Sequence, residues 1–241
     1  MFDLKKLYTG NLEWLADHTI LFGLAGSKSY GLDTPESDTD LKGLCIPPVN
    51  YFYGWLNNFE QAERKKQDDD IEFVVYDIRK FFNLAANANP NILELLFLDP
   101  ADYLIMTELG ERLIANRDKF LSRKVVHTYS GYAHSQLQKH ANNVENGKPI
   151  RTKHALHLVR LLIQAKEILT TGKLIVKRPD REFLLSIRNG AWTYDQLIEW
   201  SSAQEAEIMK LAETSTLPHS PDRVFLDQLC IDMVDQFMRS R

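Results

Sequence analysis

The chain has 241 residues, 44% hydrophobic and 26% charged, with a formal net charge of −4. That is enough apolar material for a sizeable core, and too small a charge imbalance to mark a wholesale polyanion binder or a charged tail. Cys45 and Cys230 stand far apart without CxxC spacing, which excludes a zinc knuckle or a disulfide framework and makes a reducing cytoplasm the simplest compartment.

At the N-terminus, acids and a tryptophan interrupt the apolar run that a signal peptide needs, and no window approaches the ~18 apolar residues of a membrane span. Neither secretion nor a membrane partner is expected. Apolar spacing predicts a short amphipathic helix over Asp3 to Ala16, followed by a β-prone run from Thr19 to Leu24 that ends in Ala25-Gly26-Ser27. The turn residues Asp33 to Ser37 lead into an alternating strand from Asp38 to Ile46, stopped by Pro47-Pro48. Asn57 to Asp70 is polar and charged, the composition of a hairpin tip or loop. Ile71 to Ile78 reads as a third strand, with Phe73 and Val75 on one side and Glu72, Val74 and Tyr76 on the other.

From Arg79 the apolar period becomes helical. Asn89-Pro90 suits a helix N-cap and first position, and further helices are predicted over Leu104–Asn116, Lys119–Val144, Thr152–Thr170, Tyr194–Glu213 and Arg223–Met238. The change of pattern suggests a core domain over 1–117 and a helical domain over 118–241.

Chemistry concentrates between Leu21 and Gly43. Residues two apart in a strand share a side, so Asp38 and Asp40 project together, and two such carboxylates repel unless a cation joins them. A hard divalent ion, magnesium, suits carboxylate and phosphate oxygens. A third carboxylate from the neighbouring strand would complete a site for two metal ions; Glu72 is the candidate, with Asp70 and Asp77 as alternatives. After the first strand, Gly26 lets a phosphate approach the backbone closely and Ser27 offers a hydroxyl donor. This is not a P-loop, which requires glycine immediately before its lysine, where Ser27 stands.

A second region is cationic. From Lys148 to Arg181, nine lysines and arginines face only Glu167 and Asp180. In the helix predicted from Thr152, Lys153, His157, Arg160 and Gln164 share one face, opposite Leu158, Leu162, Ala165 and Leu169; the first face is free to meet phosphate if the second packs. No acids lie near His154 and His157 in sequence, which argues against a metal there. Lys42 either neutralises phosphate or covers the sheet. The aromatic helix from Tyr129 to His140 reads as core packing rather than a base-stacking platform.

Four stretches carry a family resemblance: Gly26-Ser27-x-x-Tyr30-Gly31, Pro35-x-Ser37-Asp38-x-Asp40-x-Lys42-Gly43, Asn89-Pro90-Asn91-x-x-Glu94-Leu95-Leu96, and Lys153-His154-Ala155-x-His157-x-x-Arg160-Leu161. Together they resemble the predicted nucleotidyltransferases of the DNA polymerase β superfamily, of the RNA-repair-associated type. The resemblance implies an α+β fold, with a small mixed sheet flanked by helices and a mainly helical C-terminal region. It further implies magnesium-dependent transfer of a nucleoside monophosphate from a nucleoside triphosphate. Asp38, Asp40 and Glu72 would be catalytic and metal-binding, and Gly26, Ser27, Lys42, Lys153, His157 and Arg160 would bind substrate. Glu94 is either a supporting group or, more simply, a helix-surface acid. An RNA 3′ end is the leading acceptor. A protein hydroxyl taking AMP is the second, and an inactive nucleotide- or RNA-binding protein the third.

Overall fold

The structure, a computed structural model, describes residues 3–65, 71–145 and 151–240. Where one helix was expected over residues 3–16, the chain forms α1 (Leu4–Leu7), a 3-10 turn at Gly10–Leu12 and α2 (Leu15–His18). Gly10 takes φ +63°, a left-handed conformation that cannot continue a helix. β1 (Thr19–Ala25) runs directly into α3 (Gly26–Tyr30), which Gly31 closes at φ +67°. Then come β2 (Thr39–Cys45), α4 (Asn50–Tyr53), β3 (Gln61–Arg64) and β4 (Ile71–Asp77).

β3 lies inside the polar stretch read as a loop. Its residues are those of an exposed edge strand, which needs little apolar character because only one flank is paired. Asp70, an alternative for the third carboxylate, lies outside the described residues.

After β4 the chain is helical: α5 (Ile78–Ala86) and α6 (Pro90–Leu96), the latter capped by Asn89 Oδ1, which accepts from the Asn91 N–H at 3.1 Å. Tyr103–Met106 is then a strand, β5, and not the start of a helix; α7 (Glu108–Ala115) begins only after Thr107 caps it. The β-prone Tyr-Leu-Ile-Met run finds a pairing partner in β1, which no local signal discloses. α8 (Val125–Glu145), α9 (Thr152–Thr171), α10 (Arg181–Arg188), α11 (Tyr194–Thr214) and α12 (Arg223–Arg239) complete the chain, α10 being unanticipated. No described helix is long and apolar enough to cross a membrane.

The sheet has the order β3-β4-β2-β1-β5; β2 and β4 are parallel and the other pairs antiparallel. Side-chain alternation sends Phe22, Leu41, Phe73 and Val75 to a small cluster with Leu4, Leu7, Tyr8 and Leu15. The opposite face, including Leu21 and Leu44, meets the main core, in which Phe81, Leu93 and Leu113 pack with Tyr129, Leu161, Leu184 and Met233. Hydrophobic contact is therefore continuous across residue 117. α9 is enclosed by α8, α10 and α11 and is buried on nearly every side along its middle, with Leu158 to Leu162 all at 0% exposure.

Candidate active site

Strand register builds the site. Ala25 pairs with Asp40 across β1 and β2, and Asp40 pairs with Glu72 across β2 and β4. A single row across three strands thus carries the entrance to the glycine turn and two carboxylates. The backbone must turn tightly at Gly26, at φ +61°, and a Cβ there would collide with the Asp40 carboxylate. Only glycine lets this turn lie against that acid. α3 starts at Gly26 with no side chain capping it, and the first N–H groups of a helix have no partners within the helix.

Asp38 sits one residue before β2, and the same alternation that puts Asp40 on the helix-facing side of the sheet puts it there too. Burial raises the Asp40 carboxyl pKa first, and the Glu72 charge raises it further; Lys153 and Lys42 oppose that shift, while Asp38 adds to it. The carboxylates are close enough to feel one another. Asp77, the other alternative acid, is excluded: it lies at the far end of β4 opposite Cys45, on the other sheet face. There it is buried, accepts from the Arg79 N–H at 2.7 Å and ion-pairs with the Arg79 guanidinium at 2.8 Å.

A cavity of about 520 Å³ opens between this strand row and α9, within the range of small-molecule sites. Gly26, Ser27, Asp40, Lys42, Glu72, Lys153, His157 and Arg160 all line it. Asp38 does not. Asn91, Gln136, His154 and Arg188 also line it; Gln136 and Arg188 were not singled out from sequence, while Asn91 and His154 stand in motifs without an assigned role. Arg188 carried no signal because α10 was not foreseen.

The expected phosphate-facing stripe of α9 becomes a gradient from rim to base. Lys153 is exposed, His157 half-buried, and Arg160 and Gln164 fully buried. The surface reading of Glu94 is overturned: Glu94 is buried on α6 and ion-paired with Arg160. Tyr30 donates its hydroxyl to Glu94 Oε2 at 2.7 Å, and the Arg160 guanidinium lies 3.7 Å from the Tyr30 ring centroid. Arg160 also donates to Gln164 Oε1 at 2.9 Å. Burial works against the charged form of Glu94, but the Arg160 and Lys42 charges and the Tyr30 and Arg160 hydrogen bonds outweigh it, holding the carboxyl below its ordinary value. Lys42 points its ammonium at Asn91, within 3.3 Å of the carbonyl and 3.2 Å of Oδ1; burial lowers its pKa. The basic stretch is partly consumed elsewhere, since Arg178 is buried and paired with Glu167 and Asp180. Tyr129 is wholly buried, as a core residue.

The donor set is all carboxylate oxygen, which suits a hard divalent cation. As the side chains stand, no group of three acidic, histidine or cysteine residues among those described could hold an ion. Magnesium does not require one, because it binds through one or two carboxylates and is completed by water and substrate phosphates.

The sequence pattern of RlaP, the RNA repair pathway DNA polymerase beta family, matches residues 9–232. The chain belongs to this family. Members of the RNA repair pathway DNA polymerase beta family are nucleotidyltransferase-like, so the resemblance read from the motifs and the α+β fold both stand. An uncharacterized 38.9 kDa protein from the nrdC-mobD intergenic region of Enterobacteria phage T4 is 30% identical over 131 residues, which cover 51% of this chain and 38% of that protein. The matched region is thus well under half the length of that relative. A nucleotidyltransferase-like protein from Exiguobacterium sibiricum is 13% identical, over 92% of this chain and 69% of its own, with a TM-score of 0.32, a likeness too weak to argue from.

Proposed function

We propose that the protein transfers a nucleoside monophosphate from a nucleoside triphosphate to an acceptor hydroxyl, with an RNA 3′ end as the acceptor. The row Ala25–Asp40–Glu72 carries this reading, because it sets the glycine turn and two acids against one cavity in a chain of this family. Residues 1–117 would carry the chemistry and 118–241 the wall that closes over the nucleotide.

Asp38, Asp40 and Glu72 would hold magnesium, two ions in the fullest form; bound there, it would neutralise phosphate charge at the reacting phosphorus. The chain supplies the positioning. The Gly26-Ser27 turn receives the triphosphate with backbone N–H groups and a hydroxyl, and Lys42 and Lys153 add positive charge near the acids. Burial and mutual repulsion hold Asp40 ready for a cation, since its charged form is disfavoured without one. His157 and Arg160 form the inner wall that the nucleotide meets. In the reaction, the acceptor hydroxyl gives its proton to a site carboxylate or to water as its oxygen forms a bond to the α-phosphorus, the bond to the β-phosphate bridge breaks, and pyrophosphate leaves with the electron pair.

Incubation with each α-labelled NTP and magnesium, offering RNA and a protein extract together, tests this. Label on RNA is expected. Label on a protein band would move the assignment to protein modification, and no transfer to either would refute it.

A further inference from the structure

The cavity base presents one hydrogen-bond donor whose proton position is dictated by its neighbour. Resting on the nucleotidyl-transfer reading, we propose that His157 is a fixed, neutral donor that recognises the nucleoside part of the substrate, through a sugar oxygen or a base carbonyl or ring nitrogen, and not its phosphates.

Arg160 Nη2 lies 2.9 Å from His157 Nδ1. A guanidinium has donors only, so Nδ1 must accept, and the imidazole proton resides on Nε2. Nε2 makes no hydrogen bond to a described residue and is not among the buried atoms sealed away from any partner. Since His157 lines the cavity, this N–H is open to a ligand.

The surroundings keep the ring uncharged. Burial is the largest influence, the Arg160, Lys42 and His154 charges act with it, and Glu94 opposes; together they push the imidazole pKa down to about 4. The charge of the Arg160 guanidinium beside the ring is met by Glu94, with which it is paired. The cavity that His157 lines also includes Tyr30, Leu156 and Gln136, uncharged near neutral pH, while the Lys42 ammonium is turned to Asn91. A single neutral N–H contributes little against a polyanion that lysines and backbone groups already hold. It discriminates well for a neutral acceptor, because a ligand lacking that acceptor leaves the donor unpaired.

The test is calorimetric binding of an NTP and of inorganic tripolyphosphate, with magnesium at pH 7.5, to wild type, His157→Phe and His157→Gln. His157→Phe is expected to weaken NTP binding by about tenfold and to leave tripolyphosphate within about twofold. Glutamine keeps an acceptor for Arg160 and an N–H for the ligand, so it should recover NTP affinity to within about threefold. Equal losses for both ligands, no loss, or a glutamine variant as weak as the phenylalanine one would each overturn the inference. Wild type that binds neither ligand would overturn the functional reading itself and take the inference with it. Nitrogen NMR of the wild-type imidazole needs no variant to fold: an Nε2–H tautomer whose resonance moves with NTP and not with tripolyphosphate is expected, and an Nδ1–H tautomer or equal movement overturns the proposal.

Discussion

The two walls of the cavity treat charge in opposite ways. On the strand side, Asp40 sits beside other acids in a half-buried place where its charge is disfavoured. On the helix side, Arg160 and Glu94 are withdrawn from water but paired with each other, with Tyr30 donating to Glu94 and Gln164 accepting from Arg160. Like charges held together are costly where nearby lysines offset them only in part, and such an arrangement marks a place for a ligand. Opposite charges buried together mark a joint between elements.

Neutralising the strand side should therefore abolish chemistry and spare the fold. Asp40→Asn and Asp38→Asn are each expected to lower nucleotide transfer by about a thousandfold or more, with a thermal midpoint unchanged or higher, as repulsion is relieved. Transfer retained in both variants would remove the metal assignment.

Breaking the helix side should do the reverse. Glu94→Ala strands Arg160 in the interior and should cost about 3–5 kcal/mol in urea unfolding. Combining Glu94→Leu with Arg160→Met should recover most of that loss, because both desolvated charges are then gone. A double variant no more stable than the single would show that the pair is not the joint.

Gly26→Ala strains the strand wall in two ways, through the left-handed backbone and the Asp40 carboxylate. It should cost about 1–2 kcal/mol of stability and about a hundredfold in activity. Serine at the same place should be no better, since any Cβ meets the same obstacle.

Acid should loosen the helix wall before the strand wall. The His157 pKa is depressed in the fold from its ordinary 6.5 to about 4, so the unfolded chain binds more protons between those values. The stabilisation is complete above about pH 6.5 and is lost as pH falls towards about 4, on the order of 1–3 kcal/mol for a partly solvated group. Glu94, also depressed, adds a loss at lower pH still, as its carboxylate takes up a proton. Chemical denaturation from pH 7.5 to 4.5 should show this slope in wild type, and a shallower one in His157→Gln. The smallest effect belongs to the rim. Lys153→Ala should weaken nucleotide binding about threefold at low salt, and less as ionic strength rises, because that ammonium is exposed.

Much of the strand wall is legible in residue order. Period-two alternation places Asp38, Asp40 and Lys42 on one side, and a glycine followed by serine after a β-prone run announces the turn. The helix wall is less so. Lys153, His157, Arg160 and Gln164 are all polar and fall at helical spacing on one face, and nothing local says that the stripe passes from solvent into the core. Glu94 was misread for the same reason: an acid on a short helix is normally solvated, and only a partner 66 residues away changes that. β5 was misread because a four-residue apolar run fits either a helix or an edge strand.

Sequence alone was sufficient for the class of fold, the family motifs, the Asp38–Asp40 spacing and the glycine turn, because these depend on neighbours a few residues apart. Tertiary structure decided that Glu72 rather than Asp77 stands beside Asp40, that Glu94 and Arg160 form a buried pair, and that His157 carries its proton on Nε2. Each of those depends on strand register or helix packing between distant segments, where a carboxylate's or imidazole's state is set by burial and partner charge rather than by its place in the chain.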